Sequence, residues 1–119
     1  LFNALQNDIS AVRLWAASSL AEVGLSSTEN ANAVAAQLLL SLEIDHEPIV
    51  RSNCIWSLGR LYEILSKDLR KQLLESFVAI ALHDVESSVR DEARVVLDQI
   101  DSPIIGNRIK SLIDDENLL

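Results

Sequence analysis

The sequence predicts an all-α protein, an α-solenoid of about three stacked helix pairs followed by a further C-terminal helix. Three observations carry that expectation. Leu, Ala, Ile and Val dominate a composition that is 49% hydrophobic, with only three Gly and two Pro to interrupt helices. The dipeptide Val-Arg recurs at Val12, Val50 and Val89, at intervals of 38 and 39 residues. Aligned on those valines, the windows "VRLWAASSLAEVG", "VRSNCIWSLGRLY" and "VRDEARVVLDQID" hold the same residue classes at matching offsets. A period of that length, filled with helix formers, is the signature of a helical-repeat array.

Taken in order, the units span about 1–24, 28–65 and 66–101, with a last helix at about 103–113, all within one domain over 1–119. The chain opens on "LFNALQND", apolar and without Met, and is expected to be a segment of a longer solenoid. Within each window the residue four after the valine is small (Ala16, Cys54, Ala93), which lets two helices approach closely. Eight after it stands leucine (Leu20, Leu58, Leu97), and eleven after it an aliphatic residue (Val23, Leu61, Ile100). Offsets of 0, 4, 8 and 11 share one helical face, so these residues are assigned to the core, together with Ile49 in the second window. Asp8, Asp45 and Asp84 precede the windows by four or five residues. They are expected in turns, where Arg13, Arg51 and Arg90 can bond the aspartate of their own or the next unit.

The intervening helices have their own start signals. "ENANAVAAQLLLSLE" follows Ser27 and Thr28, either of which can cap it, and "KDLRKQLLESFVAIALH" follows Ser66. Pro48 fits the first turn of the second window's helix, and Ser102-Pro103 repeats a cap-plus-proline start for the last one. One such helix pair cannot bury its own apolar stripe, so the pairs stack.

The "D…VRxxAxxxLxxI" pattern resembles the HEAT repeat family over about residues 1–101, in particular its short bacterial-type form related to the phycobilin lyase repeats. That resemblance implies a non-catalytic scaffold that binds a protein or peptide on the concave face formed by the second helices of the pairs. It also admits an alternative, a phycobilin lyase-like subunit holding a bilin or its acceptor protein. The groove positions show no histidine and no second aromatic placed to stack a pigment. Deoxyhypusine hydroxylase is a HEAT-type enzyme that holds iron with His-Glu pairs just after the Val-Arg. The matching slots here are Leu14-Trp15, Ser52-Asn53 and Asp91-Glu92, so that chemistry does not carry over.

Composition excludes further classes. The net charge of −8 is spread evenly over the chain, with no basic stripe to hold nucleic acid, as a HEAT-like DNA glycosylase would require. An acidic surface suits a basic partner. The apolar run "AVAAQLLLSL" falls short of the roughly 18 residues of a membrane span. Cys54 is the single cysteine, which excludes an internal disulfide and a Cys-rich zinc site, and points to a reducing, cytoplasmic location. It falls on the packing face, in an alanine slot, with no histidine on its helix to activate it. His46 and His83 flank turn aspartates and are read as solvated turn residues, so no metal and no cofactor is expected. There is no glycine-rich phosphate loop or nucleophile elbow, and no catalytic constellation.

What remains is the face opposite the core. Offsets 2, 6 and 10 hold Leu14, Ser18 and Glu22, then Ser52, Trp56 and Arg60, then Asp91, Val95 and Gln99. A tryptophan at the centre of a groove, flanked by Leu14 and Val95, resembles the anchor of a protein-binding patch. The expected partner-binding residues are Leu14, Trp15, Ser18, Asn53, Trp56, Arg60, Glu92, Val95 and Gln99. The solenoid ends offer a second possibility, self-association.

Overall fold

The structure is a computed structural model, and it describes residues 2–100. Among these, five α-helices follow a 3₁₀ turn at Asn3–Gln6: α1 (Ser10–Gly24), α2 (Thr28–Ile44), α3 (Pro48–Leu61), α4 (Lys67–His83) and α5 (Ser87–Gln99). A second 3₁₀ turn, Tyr62–Ile64, closes α3. No strand occurs among the described residues. The all-α repeat architecture is therefore as expected. The helix expected at 103–113 lies outside the described residues.

The helices form two layers. α1, α3 and α5 stack side by side in one layer, and α2 and α4 lie in the other, packing on them in sequence order. α2–α3 and α4–α5 are complete pairs, whereas residues 2–24 contribute the 3₁₀ turn and α1. Between the layers lies a single core, with Leu20, Leu38, Leu58, Leu61, Leu73 and Phe77 at its centre. The small slots at Ala16, Cys54 and Ala93 are fully buried, which is why nothing larger would fit the helix contacts there.

Local signals set the helix starts. Ser27 Oγ accepts the Asn30 N–H at 3.1 Å and Ser66 Oγ accepts the Leu69 N–H at 3.3 Å, so Ser27, not Thr28, caps α2. The helices of the other layer start differently. Asp45 Oδ1 accepts the Glu47 N–H and Asp84 Oδ1 accepts the Glu86 N–H, both at 3.0 Å, as Asx turns. The first unit uses Asn7 Oδ1, which accepts the Ile9 N–H at 2.9 Å. Asn7, five residues before Val12, is thus the equivalent of Asp45 and Asp84, and Asp8 is not. Asp8 lies in the turn as expected, and its carbonyl accepts from Arg13 Nη1 at 3.1 Å, but the side chain that closes the turn is that of Asn7 one residue earlier.

The arginines tie the units together. Arg13 donates to the Asp45 carboxylate through Nε (2.7 Å) and Nη2 (3.3 Å), and through Nη1 to the carbonyl of Asn7 (2.7 Å). Arg51 repeats the arrangement with the Asp84 carboxylate (3.2 and 3.0 Å) and the Asp45 carbonyl (3.0 Å). Each guanidinium therefore holds its own unit's turn by backbone and the next unit's aspartate by charge. Arg90 donates to the carbonyl of Asp84.

Three residues assigned to the core are not in it, the first being Val12, which is only half-buried and stands outside the core cluster. Ile49 is 59% exposed, because it lies one residue before the core row and is rotated onto the face that Trp56 occupies two turns later. Val23 is 41% exposed. α1 instead closes on α3 through Gly24, where an added Cβ would lie 2.9 Å from Leu61 Cδ2, and Val23 beside it turns to solvent.

Candidate partner-binding face

The side-by-side stack of α1, α3 and α5 turns one row of each helix away from the core. Contacts between neighbours use the flanks of that row. Asn53 Nδ2 donates to the Leu14 carbonyl at 2.9 Å and to the Ser18 hydroxyl, and Ser57 Oγ donates to the Ala17 carbonyl at 3.0 Å. Arg60 Nη2 bonds Glu22 Oε1 at 2.6 Å across the same junction. Leu14 is half-buried and packed against the core. Leu14, Ser18, Asn53 and Arg60 thus fasten α1 to α3, and none stands as a free side chain in a groove.

The exposed apolar residues of the row are fewer. Trp56 is 38% exposed, Val95 44% and Trp15 58%. Trp56 and Val95 hold the same offset on adjacent helices, and Ile49 extends the patch one step toward the start of α3. Trp15 holds the offset of Asn53, the side of the helix that in α3 meets its preceding neighbour. It therefore lies on the flank of α1 rather than at the centre of the row. Glu92 shares that offset on α5; it is half-buried, and its Oε2 has no hydrogen-bond partner among the described residues. Gln99 is exposed and shares a shallow cleft with Arg60, Gly59 and Tyr62 at the end of α3.

Burial, reinforced by the charge of Asp45, pushes the Cys54 thiol up to about 12, so it remains protonated at neutral pH. His46 lies in the turn before α3 and His83 ends α4, and both are exposed. Sequence reasoning missed Ile49, whose signal was available: it stands seven residues before Trp56, two helical turns on the same side.

Residues 36–65, from the middle of α2 through α3 and its 3₁₀ turn, match the family model of the HEAT repeat. That segment of the chain resembles a HEAT repeat. HEAT repeats are helical scaffolds that commonly mediate protein interactions, and they are typically non-enzymatic. The matched HEAT segment contains Arg51, Cys54, Trp56 and Arg60. No curated protein and no solved structure matches the chain, and a relation to the phycobilin lyases is not shown. No helix among the described residues is long and apolar enough to cross a membrane.

Proposed function

We propose that the outward face of α1, α3 and α5, the concave side in solenoids of this type, binds a protein or peptide partner without catalysis. The observation that carries this reading is Trp56. Its indole is more than a third exposed at the middle of the row, where it can serve as an anchor. Val95 and Ile49 enlarge it to a patch, and the Glu22–Arg60 pair and Asp91 supply a polar rim. Buried aromatic anchors within a polar rim carry most of the energy of protein interfaces. The HEAT match supports an interaction scaffold of this general kind.

The test is a pull-down from native extract with the wild-type protein and Trp56→Ala, the mutant's fold being checked by circular dichroism. The same partner should be retained by wild type and lost by the folded mutant, an anchor loss of about 2 kcal/mol or more. Equal retention by both proteins would place the binding elsewhere.

A further inference from the structure

The opposite face of the molecule carries a second surface, independent of Trp56. Between Glu29 and Glu43, α2 has no charged side chain at all, although it lies in an outer layer. Its outward residues include Ala36, Leu40 (45% exposed) and Ile44 (54% exposed). A surface helix ordinarily turns charge to water, and α4 does so with Lys67, Asp68, Lys71 and Glu75. α2 and α4 make few contacts with each other, and an open groove of about 690 Å³ runs between them. Its walls combine the aliphatic Leu39, Leu40, Ile80 and Val85 with the small Ala36 and Ala79.

The groove has a polarity. Arg51 bonds both the Asp45 carbonyl and the Asp84 carboxylate at 3.0 Å, one residue past the ends of α2 and α4, so the two helices run parallel. Both helix C-termini, Ile44 and His83, therefore meet at the same end of the groove, and each brings the negative pole of its dipole. The carboxylate of Glu43 lies there as well. Arg51 at that end is matched by the Asp84 carboxylate and brings no net positive charge. One end of an apolar groove is thus electronegative.

We infer that the α2–α4 groove is a docking site for an amphipathic helix of a partner protein, whose apolar ridge lies along Leu40, Ala79 and Ile80 and whose Lys or Arg meets Glu43 and the two helix C-termini. Small residues at Ala36 and Ala79 admit a ridge of side chains between two helices, the geometry by which helices enter grooves. The charge at one end fixes the direction in which the ligand lies, its N-terminus toward Glu43. An anionic membrane surface is disfavoured by the same charge.

The probe is a fluorescein-labelled synthetic Leu/Lys amphipathic helix of about four turns, with a Leu/Glu helix of equal length as comparison. Fluorescence anisotropy with the full chain should show binding of the Leu/Lys helix and not of the Leu/Glu helix. Ala79→Arg, at an exposed position and so compatible with folding, should weaken binding at least about tenfold. Glu43→Gln should reduce its dependence on salt, and Trp56→Ala should leave it unchanged. Failure of folded wild type to bind the Leu/Lys helix would overturn the inference. So would equal binding by Ala79→Arg, loss on Trp56→Ala, or equal binding of the two helices.

Discussion

Two kinds of charged contact coexist, and burial separates them. Arg51 and Asp84 keep only 10% of each side chain exposed, whereas Arg60 and Glu22 keep 47% and 68%. Removing one member of a buried pair strands the other charge away from water, at a cost of about 3–5 kcal/mol, while an exposed pair contributes about 0–1 kcal/mol. Asp84→Ala should therefore lose several kcal/mol in urea unfolding and Arg60→Ala very little; similar losses would contradict the burial of the ladder. Cys54 gives a second prediction. Its thiol ionises at about 12 in the folded protein and near about 8.5 in the unfolded chain. Above the lower value the unfolded chain holds fewer protons than the folded one, so stability falls as pH rises, by up to about 1.4 kcal/mol per unit. Cys54→Ala should show a shallower alkaline loss than wild type when urea midpoints at about pH 8 and about pH 10 are compared. Identical slopes would mean the thiol is not buried.

At the scale of elements, helix contacts depend on what is missing as much as on what is present. A Cβ added to Gly59 would lie 2.6 Å from Val96 Cγ1, so α3 and α5 approach across a glycine. Gly59→Ala should improve helix propensity by about 1 kcal/mol, yet it overpacks the crossing, which typically costs about 1–3 kcal/mol. The expected result is net destabilisation in wild type and none in a Val96→Ala background, because the two side chains share one space. Additive effects in the double mutant would rule out the contact. The helices themselves were legible in the sequence. Offsets of 4 and 8 after each Val-Arg found buried residues in all three windows, and Ser27, Ser66 and Pro48 marked starts. Ile49 was misassigned because two adjacent aliphatics at a helix start both look like core, and only their angle distinguishes them. The outward face of α2 was not legible either: "AVAAQLLLSL" is apolar on every side, so periodicity gives no clue to which side meets water.

Across the whole molecule, the repeat converts a one-dimensional period into two unlike surfaces. The α1, α3 and α5 layer is bound along its length by arginine, asparagine and serine contacts to neighbours; Trp15, Val23, Ile49, Trp56 and Val95 are its exposed large apolar residues, and Ile49, Trp56 and Val95 share the outward face of α3 and α5. The position of Trp56 could be read from its offset alone. The engagement of Asn53, Ser18 and Arg60 could not, because it depends on which neighbour each polar side chain reaches after stacking. The α2 and α4 layer keeps an open groove because its helices pack on the other layer more than on each other. The partner-binding reading requires that Trp56 face an open surface in the intact protein. Acrylamide quenching of its fluorescence in a Trp15→Phe variant of the full-length protein tests that most directly. Red-shifted, readily quenched emission is expected from Trp56, whereas blue-shifted emission resistant to quencher would show the indole already covered and rule out its role as an anchor.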